Sequence, residues 1–169
     1  MSEAVSKVVL LHCAADRPGL GERWAERLRG CGHEVWVREP EGELDELPAD
    51  VVFVGVSSAA ASAGRYAATR RGCRGAILIS GVAPLAELGV EAWPPTVPAQ
   101  VHFAAEDRKV DHAGVESFEH ALDAARARLE IHVYPGAEHL FADRESPGFD
   151  PAAAELMLAR VLEFLQRCG

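Results

Sequence analysis

Three polar residues follow runs of apolar residues that read as strands. Ser57 follows DVVFVGV, Asp107 lies in AAEDRKVD, and His139 lies in YPGAEHLFAD. Serine, histidine and aspartate together can carry out nucleophilic acyl transfer. The hydroxyl attacks and the imidazole, with a pKa near neutrality, takes and returns its proton. The carboxylate fixes the imidazole tautomer. The neighbours of Ser57 suit a nucleophile on a sharp strand-to-helix turn. Bulk two residues before or after it would collide with the strand and helix, and those positions hold Gly55 and Ala59. Ser58 has Val56 two residues before it and is the poorer nucleophile. The backbone N–H of Ser58, with one from Cys13 or Ala14 after the first strand, could meet an oxyanion.

Each of these residues also has a plainer use. A serine after a strand is a common helix N-cap, an aspartate a common turn former, and His139 could be one more loop histidine. Glu106 and Asp111 compete as the acid, although Asp111 reads better as an N-cap and Glu106 as a solvated neighbour. Cys13 reads as a partly buried structural thiol rather than a second nucleophile. His112, Glu116 and His120 repeat every four residues along one helix face. That reads as a solvated face, because the ends of the series lie beyond the reach of one metal ion. His12 reads as packed or as part of the oxyanion loop, and Trp24 and Trp36 as helix–sheet packing. Trp93 and Phe141 are candidates to line the pocket, and Trp93 serves equally well as a plug of the core.

Alternating elements must position these residues. Lys7 to His12, Asp50 to Val56, Gly75 to Gly81, Gln100 to Ala105 and Glu130 to Pro135 read as strands. His33 to Glu39 alternates like a strand near an edge. Helices are predicted from Leu20 to Cys31, from Ser58 to about Arg71, along Val115, Phe118, Leu122, Ala125 and Leu129, and from Asp150-Pro151 to Leu165. Repeated strand–helix units mean a mostly parallel sheet with helices on both faces, and one domain over residues 1–169. Two connections stand out. Residues 82–99 are long and proline-rich, with Trp93-Pro94-Pro95. PEGELDELPA, from Pro40 to Ala49, is too short for an ordinary parallel crossover and fits one or two helical turns at most.

The order Ser, Asp, His is that of α/β-hydrolases. The sequence resembles the dienelactone hydrolase family within that fold. GVSSA resembles the family's nucleophile turn and AAEDRKVD its acid turn. YPGAEHLFAD, then GFD and a closing helix ending RVLEFL, resembles its histidine loop and C-terminus. The resemblance implies a three-layer α/β-hydrolase-like fold, with helices on both faces of a sheet of about six mostly parallel strands in the order 2-1-3-4-5-6. It also implies hydrolysis of a small carboxylic ester, thioester or lactone through Ser57, Asp107 and His139, with no metal or organic cofactor. Members that cleave dienelactone use cysteine where Ser57 stands and glycine where Ala59 stands. They also hold the substrate carboxylate with an arginine four residues after the histidine. Here that position is Asp143, with Arg144 beside it. The crossover before the third strand is shortened, which should open the site or leave part of the sheet bare.

The chain has 169 residues, 49 % of them hydrophobic and 25 % charged, which suits a globular domain with a sizeable core. A net charge of −9 argues against the basic face that nucleic acids or anionic membranes would need. The start, MSEAVSK, lacks the features of a signal peptide, and no apolar run approaches bilayer-spanning length. Cys13, Cys31, Cys73 and Cys168 are widely spaced and read as free thiols, which points to the cytoplasm. The expected partner is a small-molecule substrate. A trimmed scaffold that binds a small molecule, or steers a non-hydrolytic biosynthetic step, is the rival reading. A homodimer across the flank left by the short crossover is a third.

Overall fold

The computed structural model describes residues 4–169. Six strands form one sheet: β1 (Lys7–Leu11), β2 (Glu34–Arg38), β3 (Val51–Val56), β4 (Gly75–Ile79), β5 (Ala99–Ala104) and β6 (Leu129–Tyr134). Their order is β2-β1-β3-β4-β5-β6, and every neighbouring pair is parallel. The helices are α1 (Leu20–Gly30), α2 (Ala59–Thr69), the short α3 (Leu85–Leu88), α4 (His112–Ala124) and α5 (Pro151–Cys168).

Side chains on a strand alternate between faces, so the continuous apolar runs feed two cores. Val9, Leu11, Phe53, Leu78 and Val101 point to one face. There they meet Ala59, Ala60, Ala63 and Ala67 of α2 and Val115, Phe118 and Leu122 of α4. Val8, Leu10, Val52, Val54, Ile77 and Ile79 point to the other. There they meet Ala25 and Leu28 of α1 and Met157, Val161, Phe164 and Leu165 of α5. The alanines let α2 lie close against the strand that carries Ser57. The Asp150 carboxylate accepts the Ala153 N–H at 3.1 Å, with Pro151 in the first turn, so α5 starts where the sequence placed it.

The segment between β2 and β3 contains no helix. Leu44 and Leu47 turn inward and join the α2-side core. The Tyr66 hydroxyl donates to the Pro40 carbonyl at 3.1 Å, and Arg70 Nη2 donates to the Leu47 carbonyl at 2.8 Å. This flank is therefore covered rather than bare. Two buried leucines, each worth roughly 1.5–3 kcal/mol, replace the face of a helix.

One expectation needs correction. Leu129 does not belong to the stripe of α4. That helix ends at Ala124, Arg126 turns the chain with φ 56°, and Leu129 opens β6. Residues 82–99 also hold α3, bounded by Pro84 and by Gly89 at φ 70°. Among the described residues no helix is long and apolar enough to cross a membrane.

Candidate active site

The site is built on the carboxyl ends of the parallel strands, where an open α/β sheet leaves a crevice. β3 runs out at Val56, and Ser57 takes φ 55°, a left-handed conformation that a non-glycine residue rarely adopts. The turn is possible because Gly55 has no side chain. A Cβ there would lie 2.5 Å from the Ala63 Cβ and 2.7 Å from both the Ala59 carbonyl oxygen and the Ala60 Cα. The Ser57 N–H donates to the Ile79 carbonyl at 2.8 Å, which ties the turn to β4. Ser58, not Ser57, occupies the N-cap position of α2, and it makes no side-chain cap bond.

Ser57 Oγ lies 2.7 Å from His139 Nε2, and His139 Nδ1 lies 2.6 Å from Asp107 Oδ2. Asp107 is buried, with 1 % of its surface exposed, and its other oxygen accepts the Lys109 N–H at 2.9 Å. With Nδ1–H given to the carboxylate, Nε2 presents its lone pair to the serine hydroxyl. The structure thus brings together three residues separated by up to 82 positions. Glu106 is exposed and its N–H donates to the Gly136 carbonyl at 2.9 Å. Asp111 is exposed at the start of α4 without a side-chain cap bond.

The expected oxyanion donors divide. Neither the Ser58 N–H nor the Cys13 N–H meets an acceptor among the described residues. The Ala14 N–H is already engaged, donating to Glu39 Oε1 at 3.2 Å. That exposed contact would have to give way for Ala14 to serve as an oxyanion donor. The Ser58 hydroxyl donates to Asp16 Oδ2 at 2.5 Å, so two exposed carboxylates, Asp16 and Glu39, hold the expected oxyanion residues Ser58 and Ala14. The two carboxylates surround His12, whose pKa is nevertheless lowered, because burial outweighs their pull.

The two pocket-lining candidates lie elsewhere. Trp93 is 1 % exposed, donates its indole N–H to the Val97 carbonyl at 2.7 Å and packs edge-on against Phe118. It plugs the core. Phe141 is buried on the α1/α5 side against Tyr134, with ring centroids 4.7 Å apart. Leu10, Val54, Trp24, Leu28, Met157 and Val161 wall a cavity of about 490 Å³ between α1 and α5, which no triad residue lines.

Three supports escaped the sequence reading. Ser80 Oγ donates to the His139 carbonyl at 2.5 Å. His112 Nε2 lies 3.2 Å from the Asp107 carbonyl oxygen, while Glu116 and His120 face solvent. Asp143 is wholly buried, 2.9 Å from Arg23 Nη2 and 3.4 Å from Arg17 Nε, so it anchors the loop inward. Arg144 is exposed. The partners of Ser80 and Asp143 lie 59 and 120 residues away, so no local signal marks them, whereas His112 lies only five residues from Asp107.

Comparison with known proteins identifies the family and the fold. The family model for the dienelactone hydrolase family matches residues 45–169. The "putative carboxymethylenebutenolidase" of Escherichia coli strain K12 is 36 % identical over 67 residues, which is 40 % of this chain and 25 % of that protein. The match thus spans about a quarter of that relative's length. A dienelactone hydrolase-like promiscuous phosphotriesterase from metagenomic libraries superposes with a TM-score of 0.73 at 13 % identity, covering 99 % of this chain and 88 % of that one. Thermogutta terrifontis esterase 2, solved phosphorylated by paraoxon, gives 0.66 at 15 % identity, covering 96 % and 85 %. At such identities the two solved structures establish the shared fold.

Proposed function

The chain belongs to the dienelactone hydrolase family, and from that premise we propose that it hydrolyses a small carboxylic ester, thioester or lactone through Ser57, His139 and Asp107. The observation that carries this reading is the continuous hydrogen-bonded line from Ser57 Oγ through the His139 ring to Asp107, with contacts of 2.7 and 2.6 Å.

Ser57 Oγ bonds to the substrate carbonyl carbon as its proton passes to His139 Nε2. The carbonyl π pair moves onto oxygen, and the Ser58 and Cys13 N–H groups meet the charge at the start of α2. Collapse re-forms the carbonyl and breaks the bond to the leaving alkoxide or thiolate, which takes the proton from Nε2. Water then attacks the acyl-serine by the same steps in reverse order. Asp107 holds the ring and balances the imidazolium, and no step calls for a metal or organic cofactor. Asp143 is buried against two arginines and cannot hold a substrate carboxylate, while Asp16 and Glu39 repel one. A neutral acyl group therefore suits this site better than a carboxylate-bearing one such as dienelactone.

Intact mass after treatment with a fluorophosphonate tests the reading. One covalent adduct on the wild type, absent from Ser57→Ala, supports it. A folded wild type that takes no adduct overturns it in favour of a scaffold that binds a small molecule without hydrolysis.

A further inference from the structure

His139 follows β6, while Ser57 follows β3. Three strand spacings, about 14 Å, separate those strands in the sheet. The loop that carries the base must therefore overhang the ends of β5 and β4. Beneath that overhang stand Ile79, Ser80 and Gly81. The Ile79 carbonyl accepts the Ser57 N–H at 2.8 Å. Gly81 is pressed against the same residue, and a Cβ on it would lie 2.6 Å from the Ser57 carbonyl oxygen. Ser80 sits between them, with 2 % of its surface exposed. Its N–H donates to the His102 carbonyl of β5 at 2.8 Å, and its hydroxyl donates to the His139 carbonyl at 2.5 Å. That is the one hydrogen bond made by the His139 backbone among the described residues.

We propose that Ser80 is a positioning residue for the general base: its hydroxyl holds the His139 backbone over the end of β4, so that one strand end sets the nucleophile and the base together. The inference rests on the triad reading above. Its strongest support is conformational. Ser80 has φ 57°, which costs an L-residue with a side chain about 1–2 kcal/mol and costs glycine nothing comparable. A turn alone would be better served by glycine. The strained serine contributes a hydroxyl that glycine lacks, aimed at the one residue whose displacement breaks the line to Ser57. A misplacement of about 1 Å at such a site can cost about a hundredfold in rate.

That contrast supplies the test. Ser80→Gly relaxes the backbone and removes the hydroxyl with the single carbon that carries it, so the variant folds with little change in thermal stability. With an activated ester, kcat falls by about tenfold or more while KM stays within about twofold, and fluorophosphonate labelling slows in step. In the proton NMR spectrum, the downfield His139 Nδ1–H resonance, sharp in the wild type through its bond to Asp107, broadens or shifts upfield. A merely structural Ser80 predicts wild-type kcat and an unchanged resonance in a stable Ser80→Gly protein, and that result overturns the proposal. If the wild type takes no fluorophosphonate, the hydrolase reading fails on its own, and the resonance still decides whether Ser80 holds the histidine.

Discussion

Arg23 and Asp143, 120 residues apart in the chain, meet at 2.9 Å with the carboxylate wholly buried. The contact fastens the histidine loop to α1, and Asp143 Oδ1 also accepts the Glu145 N–H at 3.2 Å. Asp143→Ala leaves two guanidinium groups facing an empty acceptor site. Arg17 and Arg23 are each about a third exposed, so solvent softens the loss below that of a wholly buried pair. We expect a loss of roughly 1–3 kcal/mol in urea unfolding, with slower labelling of Ser57. An unchanged urea midpoint would show that the buried Leu140 and Phe141 alone hold the loop.

Gly55→Val should be worse than a routine core change. Even the Cβ has no room beside Ala63, Ala59 and Ala60, and the larger side chain must push α2 away from β3. The expected cost is about 3 kcal/mol or more, with labelling of Ser57 abolished. A stable variant that labels normally would mean that α2 can shift without moving the serine.

Asp107→Asn keeps the shape of the acid but offers an amide where a carboxylate accepted two hydrogen bonds. The His139 ring then turns to its other tautomer and presents Nε2–H to Ser57. In a serine protease the corresponding change lowers kcat by about ten-thousand-fold. We expect a fall of about a thousandfold or more on an activated ester, with little change in melting temperature. A fall below tenfold would remove Asp107 from the line, and Glu106 would be the next acid to replace.

The stability of the fold should decline in mild acid. His102 is buried on β5, its ring nitrogens 2.8 Å from the Tyr134 hydroxyl and 2.8 Å from Gln100 Oε1. Burial, helped by His132 and Arg160, pushes its pKa down to about 3, and burial also lowers His12 and His132. The unfolded chain therefore binds protons that the folded one refuses. Stability is full above the ordinary histidine value of about 6.5 and falls as the pH drops from there toward 3, with a slope approaching about 1.4 kcal/mol per pH unit for one such group. Urea unfolding at several pH values between 7 and 4 measures it. His102→Gln should flatten the slope, and equal slopes in both proteins would remove His102 as its source.

Which parts of this molecule could be read in advance follows from where each signal resides. The inner strands are legible as short apolar runs buried on both faces, such as VVFVGV in β3, and the edge strands β2 and β6 by apolar–polar alternation, as in EVWVR. The end of α4 was not, because the turn at Arg126 uses an arginine with φ 56° where a glycine would have announced it. Leu129 then falls at helical spacing by coincidence. Gly55 pointed to Ser57, because local crowding leaves a local trace. Ser80 left none. A serine before a glycine at a strand end is ordinary, and its partner lies 59 residues away. The engagement of Ala14 by Glu39 was hidden in the same way, since it depends on β1 and β2 lying side by side.

The wholly parallel sheet has a consequence for how the molecule comes together. No two neighbouring strands can zip up as a hairpin, so every pairing waits for a crossover to close, and such chains fold slowly for their size. β1 is paired on both sides only after β2 and β3 have arrived from opposite flanks. His139 reaches Ser57 only when β4, β5 and β6 have docked in turn. Reactivity of the serine should therefore be the last property to appear during refolding, trailing the recovery of secondary structure.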